Sequence, residues 1–412
     1  MNSLRTVRRV GLVCLVFTLA GCGAAAPSGV ATPTPSVAPT PTATAAAVAT
    51  ATAKPAPTAT RTPKPFPSEA FAAISSDPVS SETAAKFQAA LEAMAGDGGM
   101  TATLMTADGT WSGAIGKADG VRDMRVDDQF AIASATKPVI AAQVMQMVEA
   151  GEMGLDDPAT DHLPPDLDFD TNGATIRQLL GMRAGIPDYE EALWNFNDGT
   201  LKAPLSTERQ RRWTANELLK LVGPARWPAG TAYSYSGTNY LLLRLIIEQV
   251  RGRPVAEVLR DGVLSGDGLE RLVYQPAEAP TEPMAMPDGA STAALKEGGG
   301  YLPSLAEASA GDAGSAMASD SPSFARWWRA FCAGEIVSQA SLAEMSTLQN
   351  GYGLGLHSLY PGVVGHGGWH VGYMSWAGCL PEDGSVIIVL ANHAVDDISG
   401  MAGPLVEAAR SD

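Results

Sequence analysis

The sequence has 412 residues and a formal net charge of −16. Six of its basic residues precede Glu69, the first acidic one, so the chain from residue 69 onward keeps 22 basic residues against 44 acidic ones. This negative balance argues against nucleic acid or anionic lipid as a partner, and it leaves the fold open.

Residues 1–21 have the pattern of a bacterial secretion signal. Basic residues precede an apolar run, 10–20, that is too short to span a bilayer. The run ends in Leu19-Ala20-Gly21-Cys22, which resembles a lipobox and predicts cleavage before Cys22 and acylation of its sulfur. The alternative is an ordinary secretory signal with a chance cysteine. We therefore expect an extracytoplasmic lipoprotein held at the cell membrane or envelope through Cys22.

Residues 22–68 form a second segment, composed almost wholly of Ala, Thr, Pro, Ser and Val. It has too few large side chains to build a core, so disorder is expected. In polyproline II geometry it would reach on the order of 140 Å, at about 3.1 Å per residue. We interpret it as a tether for residues 69–412, a single folded unit able to bury roughly three quarters of its surface.

The folded unit opens with a predicted β-hairpin. Its strands are residues 101–106 and 110–117, and the turn is expected at Asp108-Gly109.

The most informative stretch is Ser134-Ala135-Thr136-Lys137. Pro138 fits only the first turn of a helix, and apolar residues recur beyond it at helical spacing. Ser134 is therefore expected at a helix start, with Lys137 one turn on and on the same face. Free N–H groups there can hold an oxyanion, and a desolvated, neutral lysine can accept the serine proton. The alternative is a serine N-cap followed by a solvated lysine.

Helical patterns dominate the middle of the unit. One helix starts at Thr175, another covers 214–222, and a third runs from Tyr240 to Val250 and is closed by Gly252. The loop before the third helix carries Tyr235, whose phenol can act on protons. In the alternative, the tyrosines of this loop are all packing aromatics. Residues 276–323 are rich in Ala, Gly, Ser and Pro and predict only loop and lid.

Two cysteines remain in the folded unit. Cys332 ends a helical pattern, and Cys379 lies on a predicted strand. Outside the cytoplasm disulfides persist, so either a Cys332–Cys379 bond or two buried free thiols fits the sequence.

Near the C-terminus, Gly365-His366-Gly367-Gly368-Trp369-His370 precedes predicted strands at 371–380 and 386–390, which are joined by a turn at 381–384. Glycines in such a strand let a substrate backbone approach closely. His366 offers a charge or a hydrogen bond.

Three stretches in this order resemble the serine β-lactamase and penicillin-binding superfamily, in its branch of class C β-lactamases, D-Ala-D-Ala carboxypeptidases and related esterases. That family shares Ser-x-x-Lys, Tyr-x-Asn and Lys/His-x-Gly motifs. They correspond here to Ser134–Lys137, Tyr235-Ser236-Gly237 and His366-Gly367-Gly368, and the resemblance covers residues 82–410. The resemblance implies an α/β (α+β) fold of the β-lactamase/transpeptidase type. We expect an antiparallel sheet built from both ends of the unit, flanked by helices, and a mostly helical lobe at roughly 140–330.

The resemblance also implies residue roles. Ser134 is the nucleophile, while Lys137 and Tyr235 move its proton and protonate the leaving group. The N–H groups of Ser134 and Trp369 form the oxyanion hole. The stretch His366-Gly367-Gly368 binds the substrate, a small molecule or a peptidoglycan peptide. Neither a metal nor an organic cofactor is implied.

One position departs from the family pattern. Gly237 stands where the second motif carries asparagine, and Asn239 is two residues further on. We expect a β-lactamase or D-alanyl-D-alanine carboxypeptidase. A carboxylesterase of the same fold is the alternative, and a non-catalytic lipoprotein that binds peptidoglycan or a partner is an alternative of another class.

Other enzyme classes fit the sequence poorly. An α/β-hydrolase needs Gly-x-Ser-x-Gly, and the five histidines form no His-Glu-x-x-His motif. Asp168-x-Asp170-x-Asn172-Gly173 opens like a calcium loop, but Leu179 stands where a bidentate glutamate belongs. We interpret that stretch as an acidic surface turn.

Overall fold

The computed structural model describes residues 71–410, apart from residues 95, 97, 196–199, 288–291, 396, 397 and 399. The predicted signal, the predicted acylation site Cys22 and the predicted tether up to residue 68 lie outside the described residues. Within the described ranges, no helix is both long enough and apolar enough to cross a membrane.

The described strands belong to one large sheet and two small ones. In chain order they are β1 (Met100–Thr106), β2 (Gly109–Ile115), β3 (Phe130–Ala131), β4 (Trp194–Asn195), β5 (Thr200–Leu201), β6 (Val273–Tyr274), β7 (Met317–Ser319), β8 (His357–Tyr360), β9 (Val363–His370), β10 (Tyr373–Cys379) and β11 (Val386–Ala391).

The large sheet is antiparallel, with the strand order β2-β1-β11-β10-β9-β8. The N-terminal hairpin thus pairs with the C-terminal strands, which confirms the predicted sheet from both ends of the unit. The hairpin turn differs slightly from the prediction. Thr106 pairs with Gly109, so the turn residues are Ala107 and Asp108. Gly109 has φ +135°, and a methyl group there would lie 2.5 Å from the Asp77 carbonyl, which explains the glycine.

The helices are α1 (Ser81–Ala93), α2 (Lys137–Glu149), α3 (Ile176–Leu180), α4 (Glu190–Leu193), α5 (Ala215–Leu219), α6 (Gly237–Arg251), α7 (Val255–Asp261), α8 (Thr292–Glu297), α9 (Leu305–Ser315), α10 (Ser321–Ala333), α11 (Gln339–Met345) and α12 (Gly403–Arg410), with 3₁₀ turns at Ala133–Thr136 and Ala159–Asp161. Thr175 and Thr214 each form a capping box, which explains where α3 and α5 begin. Gly252 ends α6 in the left-handed conformation, as predicted.

The sheet is buried on both faces. Along β11, Ile387 and Val389 pack in the cluster that includes α1 and α12, whereas Ile388 and Leu390 pack in the larger core on the opposite face. This alternation follows from strand geometry, and burial on both sides explains the uninterrupted apolar run of β11.

Helix α10 covers the second face of the sheet, against β1, β10 and β11. Its first residue, Ser321, hydrogen-bonds Thr103 of β1 at 3.0 Å. The helical lobe expected at roughly 140–330 stays a prediction, since its last predicted residues belong to a helix that packs on the sheet. The structure joins Cys332 of α10 to Cys379 of β10 in a disulfide, which ties this helix to the sheet.

Candidate active site

A cavity of about 310 Å³ lies beside β9. Its walls come from the 3₁₀ turn, from loops of the helical region and from the sheet. The lining residues are Ser134, Asp188, Glu190, Trp194, Tyr233, Tyr235, Ser315, His357, His366, Gly367, Trp369, His370 and Ile398.

Ser134 lies in the 3₁₀ turn Ala133–Thr136, which we call the nucleophile turn and which leads directly into α2. The turn is fixed from two sides. The Ser375 hydroxyl donates to the Ile132 carbonyl at 2.6 Å, and the Met317 N–H donates to the Thr136 hydroxyl at 3.1 Å. Ala133 has φ +49°, an unusual conformation for a residue with a Cβ. Backbone strain beside the cavity is typical of functional sites.

Lys137 is the first residue of α2 and is 1% exposed. Its Nζ donates to Ser134 Oγ at 3.1 Å and to the Gly314 carbonyl at 2.8 Å. Burial lowers the pKa of Lys137 to about 8, against the opposing effect of the Glu190 and Asp188 carboxylates. A substantial fraction of this lysine is thus neutral near pH 8 and able to accept a proton from Ser134.

Tyr235 completes the predicted trio. Its ring centroid lies 4.7 Å from Lys137 Nζ, and its side chain lines the same cavity as Ser134. The ring packs edge-on against Tyr352, at 6.0 Å between centroids. Burial of the phenol raises the pKa of Tyr235 well above its ordinary value, so the phenol keeps its proton at neutral pH and can donate it. Tyr233 packs against Tyr352, and Tyr240 is fully buried.

Strand β9 brings the third motif beside the nucleophile turn. The pairing between β8 and β9 covers 363–365, while β10 pairs with β9 as far as His370. A methyl group at Gly368 would collide with the Ile132 carbonyl and the Ser375 hydroxyl, so only glycine lets the strand approach this closely. Trp369, the next residue, lines the cavity. The oxyanion hole of the Ser134 and Trp369 N–H groups stays a prediction.

His366 hydrogen-bonds Tyr352, the residue against which the Tyr235 ring packs. Its Nδ1 lies 2.6 Å from the Gly367 carbonyl, which only accepts, so Nδ1 carries the hydrogen. Its Nε2 is then free to accept from the Tyr352 hydroxyl at 3.2 Å. Burial, followed by the charge of Lys137, lowers the pKa of His366 to about 3. The ring is neutral at physiological pH and offers a substrate carboxylate no positive charge.

Two carboxylates in this cavity were not predicted from the sequence. Asp188 is 8% exposed and accepts the N–H groups of Gly237 at 2.9 Å and Glu190 at 3.0 Å. A methyl group at Gly237 would lie 3.2 Å from Asp188 Oδ1 and 3.3 Å from Glu190 Oε1. The carboxylates therefore occupy the space that a side chain at residue 237 would need. Asn239 lies buried within α6, with its Nδ2 3.5 Å from Met182 Sδ, and is not among the lining residues.

Helix α9 differs from the loop predicted for this region, because its Ala/Gly/Ser-rich composition is also typical of loops. Its small side chains let it pack closely against α6 and the nucleophile turn. It contributes the Gly314 carbonyl that binds Lys137 and the Ser315 side chain in the cavity wall. The only sequence signal was the near absence of large polar residues over 305–316.

The acidic turn near Asp170 has structural partners of its own. Asp170 accepts the Asn172 N–H, and the Asn172 side chain donates to the carbonyls of Ala184 and Trp227. Among the described residues, no group of three or more His, Cys, Asp or Glu side chains is arranged to hold a metal ion.

Sequence comparison identifies the protein family that has this fold and site. The model of the Beta-lactamase family matches residues 87–408, and the chain therefore belongs to that family of serine hydrolases. Its predicted membership and hydrolase class are confirmed.

Among curated relatives, the chain is 29% identical to penicillin-binding protein 4* of Bacillus subtilis over 37% of this chain and 32% of that protein. It is 26% identical to esterase EstB of Burkholderia gladioli over 70% of this chain and 83% of that protein. The chain spans less than two thirds of the penicillin-binding proteins that it matches.

Among solved structures, the D-amino acid amidase of Ochrobactrum anthropi SV3 superimposes with a TM-score of 0.66 at 24% identity. The superposition covers 81% of this chain and 100% of that one, which confirms the fold.

Proposed function

We propose that this protein is a bacterial cell-envelope hydrolase that forms a covalent acyl-enzyme on Ser134. The observation that carries the proposal is the buried Lys137 amine, 3.1 Å from Ser134 Oγ and with its pKa lowered to about 8. A serine next to a desolvated amine is an activated nucleophile.

In the first half-reaction, Ser134 transfers its hydroxyl proton to the neutral Lys137 amine while its oxygen attacks the substrate carbonyl. The N–H groups of Ser134 and Trp369 stabilise the oxyanion that forms. The bond to the leaving group then breaks as the Tyr235 phenol donates a proton to it, and Lys137 returns a proton to Tyr235. Water hydrolyses the ester in the same order of proton transfers, which releases the acid and restores Ser134.

The cavity favours some substrates over others. β-Lactams and D-alanyl peptides carry a carboxylate, but His366 is neutral, Lys137 is partly neutral, and the acidic Asp188 and Glu190 add no positive charge to bind it. Gly237 also lacks the amide that the family uses for such substrates. We therefore place simple esters and amides ahead of β-lactams, and the similarity to EstB along most of that esterase supports a carboxylesterase as the second candidate.

The location of the protein is part of this proposal. The lipobox-like sequence at Leu19–Cys22 and the 22–68 segment support a lipid anchor on Cys22 followed by an extracellular tether. The test is intact-mass and membrane-fractionation analysis of the protein made in a bacterial host. Acylated protein in the membrane fraction is expected, and Cys22→Ser should release it. Unacylated wild-type protein would contradict the anchor.

The acyl-enzyme is tested with a fluorophosphonate probe and with p-nitrophenyl butyrate. We expect a single adduct on Ser134, located by mass spectrometry, and measurable ester turnover. Ser134→Ala should abolish both, whereas Ser265→Ala, at an exposed serine, should leave both unchanged. An unlabelled wild-type protein that hydrolyses neither this ester nor an amide would overturn the proposal.

A further inference from the structure

We infer that Asp188 and Glu190 form a subsite for the ammonium group of the substrate, so that the preferred substrates are amides or esters of amino acids with a free amino group. This inference rests on the proposed acyl-enzyme function, and it names the substrate class of the same cavity.

The first argument is position. Asp188, Glu190 and Ser134 line one cavity, so an acyl group on Ser134 shares that cavity with the two carboxyl groups. Gly237 leaves that space to them, because a residue with a Cβ would press on both. Asp188 accepts two backbone N–H groups and is thereby fixed in place. Glu190 and Ser315 line the same cavity, and the Glu190 carboxyl oxygens can accept hydrogen bonds from a ligand.

The second argument is the balance of charge. Lys137 is the only Lys or Arg among the described residues that contact Ser134 or line the cavity. Burial lowers the pKa values of His357 and His366, so both rings are neutral at physiological pH. The third histidine of the lining, His370, has its own buried carboxylate partner, with Nδ1 3.2 Å from Glu307 Oε2. Burial also raises the pKa of Asp188, and it raises the pKa of Glu190 to about 8, so Glu190 is largely protonated in the empty cavity at neutral pH. A bound ammonium favours the ionised form of both carboxyl groups. A cation complements this cavity better than an anion does.

The third argument is an unused polar atom in the same wall. His370 is 2% exposed and lines the cavity, and its Nε2 has no hydrogen-bond partner among the described residues. A buried polar atom without a partner implies a missing ligand group or water. His370 packs on Trp194 at 4.6 Å between ring centroids, and Trp194 packs on Trp369 at 5.6 Å. These rings form an apolar wall suited to an amino-acid side chain.

The decisive experiment is competitive inhibition of p-nitrophenyl butyrate hydrolysis by three ligands that share a phenethyl group. They are phenethylamine, phenethyl alcohol and 3-phenylpropionate, which carry a cation, no charge and an anion. We expect phenethylamine to bind at least about tenfold more tightly than the alcohol, as for a charge-assisted hydrogen bond, and the carboxylate to bind more weakly than both.

Substitutions test which residues cause the preference for the cationic ligand. Glu190→Gln and Asp188→Asn should each weaken phenethylamine about tenfold relative to phenethyl alcohol. The matched control is Glu191→Gln, since Glu191 is the neighbouring carboxylate but is half-exposed and paired with Arg226 outside the cavity. It should leave the ratio of the two inhibition constants unchanged. A variant too slow to assay is measured by calorimetric titration with the same ligands.

The rates at which the enzyme hydrolyses two matched anilides give a second test of the ammonium subsite. Alanine 4-nitroanilide, as both enantiomers, is compared with propionyl 4-nitroanilide, which lacks only the amino group. A higher kcat/KM for at least one alanine enantiomer, lost in Glu190→Gln, supports the subsite. Equal binding of amine and alcohol by an enzyme that hydrolyses p-nitrophenyl butyrate would overturn the subsite and leave the proposed function intact. Loss of all ester turnover and of the Ser134 adduct in the wild type would instead overturn the proposed function.

Discussion

Two regions of this cavity are built in different ways. One is the nucleophile turn, which carries Ser134 and leads into Lys137, and the other is the recognition wall, which carries Asp188 and Glu190. The turn places Ser134 and Lys137 three residues apart in one short stretch, fixed by a helix that begins at Lys137. The wall places Asp188 and Glu190 against Gly237, which is 49 residues from Asp188 in the chain. The nucleophile and its base thus come from one short stretch, although distant residues orient them, whereas the two carboxylates meet Gly237 only through the packing of distant segments.

This difference implies that the two regions respond differently to substitution. Changes in the turn should reduce the turnover of every substrate, because they affect the formation of the acyl-enzyme. Changes in the wall should alter the choice among substrates. The following predictions test that separation.

The largest effect is expected for Lys137→Met, which removes the proton acceptor and leaves a side chain of similar length. The kcat/KM for p-nitrophenyl butyrate should fall by about 10²- to 10⁴-fold, the usual contribution of a general base. Lys220→Met, at an exposed lysine, is the control and should be neutral. A loss of less than threefold would show that Lys137 is not the base.

Gly368→Ala should be the next most damaging change. The added methyl group would press on the Ile132 carbonyl and the Ser375 hydroxyl, and so move β9 away from the nucleophile turn. A displacement of about 1 Å at such a site typically lowers the rate about a hundredfold. The loss should be similar for esters and amides in steady-state assays. Gly223→Ala, where a methyl group meets nothing within 4 Å, is the control.

The pH dependence of ester hydrolysis tests the state of Lys137. Because burial lowers its pKa to about 8, the reactive neutral amine is scarce at pH 6 and increases with pH. Below pH 8, kcat/KM should rise by about tenfold per pH unit, and above it should level off. A profile that is flat from pH 6 to 9 would mean that the amine is already neutral or takes no part.

The smallest effect on activity is expected for Cys332→Ala/Cys379→Ala. The bond joins α10 to β10 across 47 residues, away from the reacting groups. Turnover at 25 °C should change less than twofold, while the free energy of unfolding should fall by about 3 to 4 kcal/mol. Chemical denaturation with matched activity assays measures both. Lost activity in a folded double variant would connect the disulfide to the site.

The parts that the sequence predicts best are those set by neighbouring residues. Pro138 and the apolar spacing beyond it indicated α2, and Gly252 marked the end of α6. The strands near both chain ends were recognisable because β-branched and apolar residues cluster between turn residues, as in β11.

The remaining features depend on packing that local patterns do not reveal. Helix α9 has few large apolar residues, since its role is close approach to α6, and its composition therefore resembled a loop. Asp188 and Glu190 follow Pro187 in what reads as an ordinary acidic turn. Only the fold brings them to Gly237. Likewise, the neutrality of His366 follows from its burial, which a glycine-rich strand does not indicate.

The bond from Lys137 Nζ to the Gly314 carbonyl spans 177 residues of chain. The amine is therefore oriented toward Ser134 only once the second half of the polypeptide has been made and packed. A chain without residue 314 would contain the Ser-x-x-Lys sequence but not the carbonyl that holds the Lys137 amine. The catalytic pair therefore depends on a long-range contact as well as on its own short motif.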